Sequence, residues 1–192
     1  MKYYVEEVYL IEIIFQCEQG LDAAHRAQVF LKKNETPRHV MSFLDDVIDH
    51  ASRASLLLWP VLGQETKNKQ KQEANQRRAS RGDHLRSVLG LNDEHPIKSR
   101  KLRDNLHHFD ERLDTITSKT PLVFVDGGLG SRPLIEVDGA VASTMRHFDY
   151  NTSIYYFQEV EFNIAEVIQG LVDIRKRCLA RLAVLKEKPR RG

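Results

Sequence analysis

Apolar side chains recur along this chain in two rhythms, and the change from one to the other divides it. From residue 3 to 33 they come at threes and fours: Val5, Val8, Ile11 and Phe15, then Ala24 and Val29. That is the spacing of a helix face. Gly20 falls in mid-run, where its backbone freedom weakens a helix. The polar stretch NETPRH ends the pattern, and Pro37 suits the first turn of a following helix because no N–H is needed there. Over 38–58, Val40, Phe43, Leu44, Val47, Ile48 and Ala51 make a wide stripe that Ala54, Leu57 and Leu58 continue. Asp45, Asp46 and Asp49 fall away from most of it, and Trp59 with Pro60 closes the helix.

Residues 64–81, QETKNKQKQEANQRRASR, have no apolar period. They read as a basic, flexible connector or as a solvated helix extension, in which Arg77, Arg78 and Arg81 are candidates for contact with phosphates. A short helix is expected at about 82–89, stopped by Gly90. After Pro96 and Ser99 a third major helix is predicted at about 97–117, with Leu102, Leu106, Phe109, Leu113 and Ile116 as its seam.

Beyond 119 the runs shorten to strand length. DGGLG lacks the Lys-Ser/Thr of a phosphate-binding loop and reads as a turn. Residues 141–158 read as a β-hairpin about NTS. The helical rhythm returns at 160–187 through Phe162, Ile164, Val167, Leu171, Ile174, Cys178 and Leu182, and the chain ends in the basic KEKPRRG. The expected fold is mainly α: one domain over 1–192, a bundle of about four long helices with a small β excursion at 119–158 before the last.

Composition narrows this further. An apolar fraction of 41% suffices for a core, and 29 basic against 27 acidic residues leave a net charge of +2, too little for a global pull toward nucleic acid. Cys17 and Cys178 stand far apart, each within an apolar helical pattern and without a CxxC partner. They read as buried free thiols of a reducing compartment. The N-terminal apolar run is broken by Glu6, Glu7 and Glu12, and no segment approaches the ~18 uninterrupted apolar residues of a membrane span. A cytoplasmic protein without membrane attachment is the expectation.

The segment KLRDNLHHFDERLDTI, 101–116, gathers an Arg, two adjacent His and several acids. On a regular helix Arg103, His107 and Asp110 share one flank of the apolar seam, while Asp104, His108 and Glu111 lie on the far side. One reading is a solvated helix. Another is a metal site, pairing His107 and Glu111 with Asp46 and His50 of the second helix, although the Glu-x-x-His signature of bundle metal sites is missing.

A third reading is a resemblance. RDNLHH is similar to the Arg-x(4–6)-His motif of the HEPN family, with Arg103, the polar Asp104, and His108 closing the motif. That family sets the motif at the start of a helix in a small helical bundle; an excursion like 119–158 is not a general feature of it. The resemblance implies a metal-independent, cofactor-free endoribonuclease, often the toxin or effector of a defence system, acting as a homodimer on RNA and regulated by an antitoxin or other protein. Arg103 and His108 would be catalytic, with Asp104 and His107 in support. A non-catalytic helical interaction module is the alternative.

Overall fold

A computed structural model describes residues 3–33, 36–64, 67–99, 109–118, 124–131, 136–137, 140–141, 143–158 and 160–187. The described chain is mainly helical. Helix α1 (Tyr3–Lys32) packs along α2 (Pro37–Leu58) and along the last helix, α5 (Ile164–Glu187). Helix α3 (Lys69–Leu89) lies against both α2 and α5, and a short 3-10 turn, Pro96–Lys98, fills the space between α2 and α5. Helix α4 is Phe109–Thr117.

The core is the apolar side of each element. Leu10, Ile13 and Cys17 of α1, Val40, Leu44, Val47 and Ile48 of α2, and Leu171, Ile174 and Cys178 of α5 are fully or almost fully buried. Both cysteines are free, and burial pushes each thiol up to about 12, so they behave as small apolar side chains. Gly20 does not interrupt α1. It sits where three helices converge, and a side chain there would press on Leu171 Cδ1 at 2.8 Å and on His50 Cβ at 3.3 Å.

Of the two readings of 64–81, the described part from Lys69 is the helix extension and not the flexible connector, continuous with the short helix expected at 82–89. Asn68 caps the start by accepting from the Lys71 backbone N–H at 3.1 Å, and Lys, Gln, Glu, Ala and Arg are good helix formers. The missing apolar period has a physical cause, since most of the N-terminal half is exposed and the buried positions, Gly82, Leu85 and Leu89, come late in the helix. Gly90, left-handed at φ 62°, ends the helix, and the Leu91 N–H returns to the Arg86 carbonyl.

The helix expected to start near 97 does not do so. Pro96–Lys98 is a 3-10 turn, and α-helix is found at Phe109–Thr117, where Ile116 is buried and Leu113 half-buried.

The hairpin is present as β6 (Arg146–Asp149) antiparallel to β7 (Ile154–Phe157), the middle pair of a four-stranded sheet whose outer strands are β2 (Gly128–Leu129), beside β6, and β8 (Val160–Asn163), beside β7. Strand β2 (Gly128–Leu129) comes from DGGLG, so this stretch is more than a turn: Gly127 and Gly130 flank the strand with φ of 81° and 92°, and β2 pairs in parallel with His147–Phe148. Gly128 has no room for a side chain, which would overlap the His147 ring. His147 is itself buried and shares a 2.6 Å hydrogen bond with the Gly130 carbonyl. Strand β8 (Val160–Asn163) takes four residues expected to be helical. Asn163 then starts α5, accepting from the Glu166 N–H at 3.2 Å and donating to the Glu166 carboxylate at 3.0 Å. Two small ladders complete the excursion: β1 (Phe124–Val125) parallel to β5 (Ser143–Thr144), and β3 (Glu136–Val137) antiparallel to β4 (Ala140–Val141).

Asp45 of α2 fastens the sheet to the bundle. It accepts from the Tyr155 hydroxyl at 2.6 Å and from Arg146 at 2.8 Å, and the same guanidinium holds both oxygens of Asp126. Burial raises the Asp45 carboxyl above its ordinary range despite these donors.

Candidate functional site

Arg103, Asp104, His107 and His108 lie outside the described residues. What the structure describes is the ground on either side: Ser99 four residues ahead of Arg103, and α4 directly after His108. Ser99 stands in the wall of a groove of about 680 Å³. Trp59, the end of α3 around Arg86, and the segment from Asp93 to Lys98 line the rest.

This groove is chemically organised. The Trp59 indole N–H donates to Asp93 at 2.9 Å, and Lys98 pairs with Asp93 at 3.1 Å. Those donors, Lys98 first, hold the Asp93 carboxyl below its usual range. The His95 ring stacks on Trp59 with centroids 5.8 Å apart. Its Nε2 faces Asp173 of α5 at 3.5 Å, while its buried Nδ1 has no hydrogen-bond partner among the described residues. Burial lowers the His95 pKa below its ordinary 6.5, more than Asp173 raises it.

Of the three arginines proposed to contact phosphates, Arg77 and Arg78 are exposed on α3 and have no ion pair among the described residues. Arg81 is engaged differently. Its guanidinium donates to the carbonyls of Leu56 and Leu57, where α2 ends and carbonyls lack helical partners, and it lies 5.2 Å over the Tyr9 ring. Arg86 reinforces that end by donating to the Leu58 carbonyl. Arg81 is therefore a helix-end fastening whose charge still borders a second groove, of about 460 Å³, along α3.

That second groove is lined by Glu73, Gln76, Arg77, Ser80, Arg81 and His84. Beneath it lies a group the sequence reading passed over. Glu6 of α1 is only 2% exposed and sits in line with the buried Leu10, Ile13 and Cys17. One carboxylate oxygen takes Arg181 of α5 at 2.6 Å and the other shares a 2.8 Å hydrogen bond with His84 Nε2 of α3. Burial raises its pKa, but the bonds from Arg181 and His84 outweigh burial, and the carboxyl ends below its ordinary 4.5. The signal was available: an acid at the i−4 and i−7 position of an apolar stripe must find cations inside the fold.

Of the groups in the metal reading, His107 lies outside the described residues. His50 Nδ1 is bonded to Gln16 of α1 at 2.8 Å, and among the described residues no three His, Cys, Asp or Glu side chains gather around a common point. Among these residues, too, no helix is long and apolar enough to cross a membrane. Comparison with family models, curated proteins and solved structures gives no match.

Proposed function

We propose that this chain is a metal-independent endoribonuclease of HEPN type, with Arg103 and His108 as the catalytic pair and Asp104 and His107 beside them. The observation that carries the reading is the position of RDNLHH in the chain. In a mainly helical bundle, it comes directly ahead of α4, as the resembled motif stands at the start of a helix. The exposed Arg77 and Arg78 supply further positive charge for a phosphate backbone.

The chemistry follows from the substrate. The 2′-oxygen of RNA attacks the adjacent phosphorus and the bond to the 5′-oxygen breaks, leaving a 2′,3′-cyclic phosphate and a 5′-hydroxyl. One imidazole accepts the 2′-OH proton and another, protonated, delivers a proton to the leaving oxygen; such groups typically contribute about 10²–10⁴-fold. Arg103 matches the phosphate oxygens with a fixed fork and stays charged, worth about 3–4 kcal/mol when aimed at developing charge. A homodimer places two Arg–His pairs about one axis. Its interface is supported by an apolar surface: Val8, Ile11 and Phe15 on the outer side of α1, and Val172 and Leu179 on α5, all at least 42% exposed. A toxin or defence role with a regulatory partner protein extends the same reading.

The test is incubation of RNA with purified protein and end-group analysis. Wild type cleaves to 2′,3′-cyclic phosphate ends with EDTA present, His108→Ala and Arg103→Ala abolish cleavage, and His107→Ala costs less. Cleavage that survives in both single mutants defeats the assignment. A protein inert toward RNA that captures another protein through the apolar face is the interaction module instead.

A further inference from the structure

We propose that the α3 groove is a phosphodiester-binding site in its own right, in which Glu6 holds His84 by Nε2 and leaves Nδ1, with Arg77 and Ser80, to bind the backbone of single-stranded RNA. The proposal rests on the RNA reading above and adds to it a second site on a different element.

Geometry assembles the site in three steps. Positions 73, 76, 77, 80, 81 and 84 recur at threes and fours, so one side of α3 carries Glu73, Gln76, Arg77, Ser80, Arg81 and His84 toward the groove they line. His84 is then fixed from below: its side chain is 29% exposed, Nε2 is committed to the Glu6 carboxylate, and Nδ1 makes no hydrogen bond among the described residues. An imidazole held at one nitrogen by a buried carboxylate presents the other nitrogen at a defined place. Arg181 balances the Glu6 charge by bonding the other carboxylate oxygen, so the Glu6 charge does not extend unopposed into the groove.

The groove has the donors a phosphate oxygen accepts from: the fork of Arg77, without an ion pair among the described residues, the Ser80 hydroxyl, the Gln76 amide and, in the imidazolium form of the ring, His84 Nδ1–H. Glu73 is the acid in the same wall, one turn before Arg77, and closes that end to anions. Arg81 adds charge from its fastened position over Tyr9. Length selects the ligand. From Arg77 to His84 the helix rises about 10 Å, too far for one free phosphate to span and suited to successive phosphates of an extended strand.

The experiment is fluorescence anisotropy with a short labelled single-stranded RNA carrying 2′-O-methyl groups throughout, which lacks the nucleophile and cannot be cleaved. Arg77→Gln and His84→Gln should each weaken binding about five- to tenfold, and Arg77→Gln should lower the salt slope by about one phosphate contact. Glutamine at 84 keeps an N–H for Glu6 and removes the second ring nitrogen, so thermal stability stays near wild type while binding falls. Arg77 is exposed and carries the test by itself if the position-84 variant does not fold. Arg26→Gln removes the same charge elsewhere on α1 and should leave binding unchanged. Wild-type affinity in both groove variants, equal weakening by Arg26→Gln, or no binding by the wild type overturns the proposal. Failure to cleave unmodified RNA defeats the ribonuclease reading alone, because the methylated probe reads binding without chemistry.

Discussion

Two carboxylates, Glu6 buried and Asp45 half-buried, respond to acid in opposite senses. Glu6 has a folded-state pKa below its ordinary 4.5, so the fold releases its proton more readily than the unfolded chain does. Its contribution to stability is complete above about pH 4.5 and is lost as the pH falls below that value. Asp45 has a raised pKa, burial being the dominant cause, so the fold holds its proton more tightly and its contribution declines as pH rises through the folded value. Denaturant melts from pH 6 down to pH 3 should separate the two: Glu6→Gln flattens the acid limb of the stability curve, and Asp45→Asn steepens it. Arg181→Met should cost about 3 kcal/mol in chemical denaturation, because it strips the buried Glu6 carboxylate of its principal cation. A loss near zero would mean that the ion pair adds nothing to the stability of the three-helix junction.

Single elements are set by their ends and by points of close approach. Helix α3 shows both. Asn68 and Gly90 bracket it, and Gly82 lets it pass the end of α2, where a Cβ would come within 2.6 Å of Pro60 Cδ and 2.9 Å of the Leu58 carbonyl oxygen. Alanine has the better helix propensity by about 1 kcal/mol, yet the backbone carbonyl cannot yield as a side chain can. Gly82→Ala should therefore destabilise the protein by about 1–3 kcal/mol, read as a lowered melting temperature; an unchanged or raised value would show that α3 can shift along α2 freely. The same helix shows where sequence periodicity is blind. Its first half carries no apolar period because most of it is exposed, so only the capping Asn68 and the residue propensities marked it as helix. Residues 160–163 show the converse. Phe162 continued the apolar spacing of α5, and the Asn-x-x-Glu pair at 163 and 166, which sets the boundary, was the better guide.

For the whole molecule, the outer side of α1 is the unusual surface. Ile11 and Phe15 are 54% and 49% exposed on a helix whose opposite side is already buried in the core, and Val172 and Leu179 are likewise exposed on α5. The proposed homodimer gives this surface a partner. Sedimentation velocity should show a dimer for wild type and a monomer for Ile11→Glu with Phe15→Glu, at unchanged helical content. A wild-type monomer, or a dimer that withstands both charges, would remove this surface from the interface.

The sequence by itself determined the helices whose burial is one-sided. The stripes of α2 and α5 and the hairpin at 146–157 were legible because an apolar side chain every three or four residues, or every two, has only one regular backbone that buries it. The free, buried state of both cysteines was legible for the same reason. Only the tertiary structure decided what the polar residues do. Asp45, set aside as lying off the apolar stripe, is what the sheet is fastened to. Arg81, grouped with its neighbours as a phosphate contact, closes the end of α2. Glu6, His84 and Arg181, 175 positions apart at the extremes, meet in one cluster around the buried Glu6 carboxylate. Burial is a property of local spacing, so it can be read along the chain; a polar side chain takes its role from its partner, and partners are set by the fold.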